Sequence, residues 1–145
     1  MGASLSSLWY PMTALPFFVE RVAAGFPSPA QGYMEAPLDL NQLCIRQPEA
    51  SFLLRVEGDS MLEAGIFPDD ILVVDRALEA SHGDVVVASL NGEFTVKELR
   101  LRPQPMLIPR NPCYAAIPLA DQEWELFGVV TFSLHPHRPV DRSGR

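Results

Sequence analysis

"DILVVDRALEASHGDVVVASLNGEFTVKELRL", residues 70 to 101, decides the fold. Three apolar runs, 70–75, 84–90 and 93–101, alternate with turn residues in it. Val and Ile dominate the first two, and β-branched side chains suit a pleated, covered strand. "SHGD" separates the first two runs. "NGE" separates the second from the third, and Asn91-Gly92 supplies the positive φ angles that a tight hairpin requires. The stretch therefore predicts three strands, the last two forming an antiparallel hairpin.

Working outward, 51–56, 105–109 and 124–133 also read as strands. The turn signals "GIFPDD", "RPQP" and "PRNP" part them. With 14 prolines and 9 glycines the chain is unsuited to a helical bundle. The expected architecture is mostly β, a compact fold of short, largely antiparallel strands without internal repeats. Residues 1–40 differ. Their prolines and the small-residue run Ala23-Ala24-Gly25 read as an extended N-terminal arm. "PFFVERVAAG" predicts one short helix within it, from about Pro16 to Ala24, closed by Gly25. Residues 41–134 form the β domain, and 135–145 a loose polar tail.

Composition narrows the function. The 145 residues carry a net charge of −7, which opposes non-specific DNA binding, since that needs a concentrated basic surface. Cys44 and Cys113 lack zinc-ligand spacing. They read as buried structural thiols of a reducing, cytoplasmic compartment. No apolar run approaches the ~18 residues that would cross a bilayer, and the first residues make a poor signal peptide. Asp69, Asp70, Asp75 and Asp84 could suggest a metal, but they fall at turns and strand ends, where capping is the better reading.

One corner carries chemistry. In "RVEGDSMLEAG", residues 55 to 65, a strand runs into Glu57-Gly58-Asp59 and then Ser60. Asp59 and Ser60 could cap a helical turn. Alternatively Ser60 is a nucleophile, which needs a base to take its proton. His82 sits in a turn, and His135 and His137 lie in the tail, where a catalytic group would be poorly held. The chain has a single lysine, Lys97, against ten arginines. A desolvated lysine loses its proton as arginine does not. Period-two alternation puts Thr95, Lys97, Leu99 and Leu101 on one face of a strand, with Glu98 and Arg100 looking outward. Covering that face would lower the Lys97 pKa and make its amine a general base. A snorkelling lysine at a strand edge is the competing reading.

The sequence resembles the UmuD family of self-cleaving SOS mutagenesis proteins, relatives of the LexA repressor protease domain. The resemblance rests on "AAGFPSPAQGY", "DLNQLCIRQPEASFLLRVEGDSM", "GIFPDDILVVDRALEASHGDVVVASLNGEFTVKELRLRP", "LIPRNP" and "FGVVT", together roughly residues 24 to 132. It implies a LexA- or signal-peptidase-like β fold, with Ser60 as nucleophile, Lys97 as general base and Ala24-Gly25 as the self-cleavage bond, cut on the same chain or on a dimer mate. That bond is Ala-Gly, as in LexA-like repressors, where the best-known UmuD has Cys-Gly. The resemblance further implies a homodimer, stimulation by a RecA filament on single-stranded DNA, and service to a UmuC-like Y-family polymerase in translesion synthesis. A sliding clamp is a further candidate contact. No cofactor, metal, membrane or sequence-specific DNA contact is implied.

Other classes fit less well. Only about 24 residues precede the expected cut, too few for the helix-turn-helix domain of a repressor. Signal peptidases share the Ser-Lys pair but are membrane-anchored. A non-catalytic polymerase-binding or decoy subunit would use the same β body for binding alone.

Overall fold

In a computed structural model of the full chain, residues 13–19, 21–22 and 34–138 are described. The chain divides into two units, residues 1–46 and 47–145.

In the first unit, β1 (Ala14–Phe18) pairs antiparallel with β2 (Met34–Asp39), followed by a one-turn helix α1 (Leu40–Cys44). The helix expected from about Pro16 is corrected, because its first residues are strand. Pro16 has no N–H to give either a helix or a ladder. The β1–β2 register shifts between Leu15 and Phe17, across that proline. Asp39 caps α1 by accepting the Asn41 N–H at 2.9 Å.

The second unit is a seven-stranded sheet. Its strands are β3 (Ser51–Arg55), β4 (Ile71–Asp75), β5 (Val85–Leu90), β6 (Glu93–Arg100), β7 (Met106–Ile108), β8 (Ile117–Pro118) and β9 (Trp124–Leu134), in spatial order β3-β4-β9-β5-β6-β7-β8. Every pairing in it is antiparallel. The expected mostly β, antiparallel class is therefore what the chain adopts. The Asn91-Gly92 hairpin forms as read, with φ of 52° and 89° and Leu90 opposite Glu93.

Two apolar clusters hold the sheet. Val56, Met61, Ile66, Leu72, Val74 and Val87 form one, with Phe52, Leu54, Val96 and Phe127 against it. Val86, Ala88, Leu99, Leu107 and Leu119 form the other. The long strand β9 lies between β4 and β5 and joins the two halves of the sheet. At Gly128 it passes so near its neighbour that an added Cβ would stand 2.6 Å from Val74 Cγ1.

The cysteines are not buried as expected. Cys44 is half-buried and Cys113 exposed in a turn, and both are free thiols. The tail is not loose at its start: His135 Nδ1 meets the carboxylate of fully buried Asp70, and its ring packs on Phe67 with centroids 4.8 Å apart. No helix among the described residues is long and apolar enough to cross a membrane.

Candidate active site

Ser60 follows β3 at a sharp corner. Gly58, at φ 87°, makes the turn that an L-residue resists. Met61, 2% exposed, then plunges into the first cluster and anchors the corner to the core. One 3₁₀ turn, Leu62–Ala64, follows and ends on Gly65 at φ 79°. The capping reading of this corner fails, for the N-cap position is Met61 and no side chain caps the turn. The Ser60 hydroxyl is engaged elsewhere.

Its partner is Lys97. Nζ lies 3.1 Å from Ser60 Oγ, 2.6 Å from Thr95 Oγ1 and 3.2 Å from the Val96 carbonyl oxygen. Thr95 and Lys97 are two residues apart on β6, so their side chains leave the same face. On the side away from β5, β6 pairs with β7 only from Glu98 to Arg100, which leaves the strand open where the amine turns toward Ser60. Leu99, on the Lys97 face, is 1% exposed. Burial lowers the Lys97 pKa from the ordinary 10.5, because low-dielectric surroundings disfavour the charged form.

The donor count explains what this arrangement can do. An ammonium has three N–H bonds, enough for all three oxygens. A neutral amine keeps two N–H bonds, which Thr95 Oγ1 and the Val96 carbonyl can take up. Its lone pair is then left for the Ser60 hydroxyl proton. Two fixed acceptors thus aim the lone pair of a neutral amine at Ser60.

A cavity of about 680 Å³ opens beside this pair. Apolar residues including Phe52, Leu54, Phe94 and Phe127 line one part of it, and Ser60, Thr95 and Lys97 lie among its polar lining together with Arg55, Glu57 and Arg76. Phe94 and Phe127 meet edge to face, centroids 4.9 Å apart.

The other sequence candidates sort plainly. Ala24 and Gly25 lie outside the described residues. His82 holds a loop, its Nδ1 accepting the Leu101 N–H at 2.9 Å. Asp70, Asp75 and Asp84 accept turn N–H groups from Phe67, Ala77 and Ser81, as capping residues do. Glu98 does not simply look outward, because its carboxylate pairs with Arg110. Thr95 is the residue that the sequence reading passed over as a participant. The signal was available: a hydroxyl two residues before the lone lysine, on its face.

The chain matches the family described as Peptidase S24-like over residues 16–131. It is 50% identical over 127 residues to protein MucA of Salmonella typhimurium, which covers 86% of each chain. It is 50% identical over 126 residues to protein SamA of Salmonella typhimurium strain LT2, covering 87% of this chain and 89% of SamA. A LexA repressor from Stenotrophomonas maltophilia is 38% identical over 120 residues, 81% of this chain but 56% of the repressor. Fold and comparisons together define the class, that of the S24-like serine peptidases. Within it the chain belongs to the LexA/UmuD family of SOS-type self-cleaving proteins, beside the UmuD-like members MucA and SamA.

Proposed function

We propose that the protein cuts its own arm between Ala24 and Gly25, with Ser60 as nucleophile and Lys97 as general base. The observation that supports this reading is the 3.1 Å approach of Lys97 Nζ to Ser60 Oγ, with two further acceptors on the same nitrogen. The neutral amine takes the Ser60 proton as Oγ attacks the Ala24 carbonyl carbon. The carbonyl oxygen becomes an oxyanion, which backbone N–H groups at the Ser60 corner stabilise. On collapse the Ala24–Gly25 bond breaks, and the Lys97 ammonium gives its proton to the departing Gly25 nitrogen. Water, deprotonated by the same amine, then releases Ala24 from Ser60.

The arm of residues 1–40 is the substrate, 41–134 the peptidase body and 135–145 an appendage. Tethering supplies a high effective concentration of a bond that need be cut only once. The small side chains of Ala23, Ala24 and Gly25 let the backbone reach the nucleophile. By kinship with the UmuD-like proteins, a RecA filament on single-stranded DNA favours the docked arm. The product, residues 25–145, acts as a homodimer in the cytoplasm. It serves as accessory subunit of a UmuC-like Y-family polymerase, with the sliding clamp as a further contact.

Mass spectrometry after alkaline incubation tests the chemistry. The expected products are residues 1–24 and 25–145, absent for Ser60→Ala. A cut at another bond, or an equal yield from Ser60→Ala, refutes the assignment. Adding RecA on single-stranded DNA at neutral pH tests the trigger, with faster production of the same pair expected.

A further inference from the structure

The segment from Arg110 to Tyr114 grips the Ser60 corner at four points. The Arg110 N–H donates to the Ser60 carbonyl at 2.8 Å, and the Glu63 N–H to the Arg110 carbonyl at 2.8 Å. Asn111 Nδ2 donates to the Asp59 carbonyl at 2.8 Å. The Tyr114 hydroxyl donates to the Asp59 carboxylate. The Asn111 amide is itself oriented, since its Oδ1 accepts the Cys113 N–H at 2.9 Å. Its NH₂ is thereby the end that faces Asp59.

We propose that Asn111 and Tyr114 are positioning residues for the cleavage, which act by holding Asp59 so that the Ser60 N–H is aimed at the oxyanion. The inference rests on the reading of Ser60 as nucleophile. A trans peptide is planar, so its N–H points opposite to its C=O. Pinning the Asp59 carbonyl on Asn111 directs the Ser60 N–H away from the 110–114 segment. Pinning the Ser60 carbonyl on Arg110 fixes the Met61 N–H in the same way. Neither N–H has a partner among the described residues, so both are free to donate to a substrate. The side chain of Arg110 meets Glu98, the neighbour of Lys97, so one segment braces the nucleophile's corner and the base's strand together. The hydrogen bond and charge of Asp59 also push the Tyr114 pKa up. The phenol therefore keeps its proton, and its hydrogen bond to Asp59, to higher pH than a free tyrosine would.

The test uses the full chain with Asn111→Ala and Tyr114→Phe. Two rates are measured: first-order self-cleavage across neutral to alkaline pH, and labelling of Ser60 by a small fluorophosphonate. The probe's phosphoryl oxygen needs the same N–H donor but no docked arm. Removing an oxyanion donor costs about 100-fold or more, so mis-aiming one should slow both rates by about tenfold in Asn111→Ala, and less in Tyr114→Phe. The midpoint of the pH profile should not move, since the contacts of Lys97 are untouched, and Tm should hold. Labelling within twofold of the parent in both variants overturns the proposal, as does a moved midpoint that accounts for the loss. Should Asn111→Ala unfold, Tyr114→Phe decides alone. A parent that labels at Ser60 but never cuts its arm refutes the proposed function and leaves this inference to stand or fall on the labelling rates.

Discussion

The environment of Lys97 governs two measurable quantities with related origins. In the proposed role of general base it must be neutral, so self-cleavage should rise with pH and level off below 10.5, because burial lowers its pKa. A rate that stays flat from neutral to alkaline pH would remove Lys97 from the mechanism. The same burial destabilises the fold. Between the lowered value and 10.5 the unfolded chain binds the extra proton, so stability rises with pH through that window. Lys97→Met should therefore be more stable than the parent at neutral pH. That advantage should shrink as pH approaches 10.5, which urea denaturation at two pH values would read. A variant no more stable at neutral pH would contradict the desolvation argument. The lone lysine was legible in the sequence because arginine does the ordinary work of solvation. The contact itself was not, since 37 positions separate it from Ser60 and only the sheet brings them together.

Elements with apolar runs bounded by turn residues were readable, and those held by pairing alone were not. The runs around β3 to β7 and β9 announced themselves through apolar, often β-branched residues between Gly-, Pro- and Asn-containing turns. β1 did not, because "PFF" reads equally as a helix start, and its strand state comes from β2, which local propensity cannot see. β8, two residues long, offers no period to count. His135 was misjudged for a related reason: its polar neighbours suggested solvent, while its partner Asp70 lies 65 positions away. His135→Ala strips the buried Asp70 carboxylate of that partner and should cost about 1–3 kcal/mol, visible in urea denaturation. An unchanged midpoint would mean that water replaces the ring at no cost. At Gly128, Ala would press on Val74 and on the Asp75 backbone, and the joint between β4 and β9 cannot yield freely. A loss of about 1–3 kcal/mol is expected. A neutral Gly128→Ala would show that β9 gives way there.

For the whole molecule, charge and topology set the terms of partnership. At −7 the chain should not shift a DNA duplex in a gel at physiological salt. A salt-sensitive shift would reveal a basic face that the net charge conceals. The two-stranded ribbon of the first unit bears on what a cut would do. The Ala24–Gly25 bond belongs to the connection between β1 and β2, so β1 would leave on one fragment and β2 remain on the other. Every residue of β1 is exposed, and a lone two-stranded ribbon is marginal even when covalently joined. Once the linkage is severed, its strands meet only at their bulk concentration, and dilution favours separation. Hydrolysis would thus work as a ratchet, because the pairing of β1 with β2 could no longer draw the departing strand back, and the decision to cut is made once.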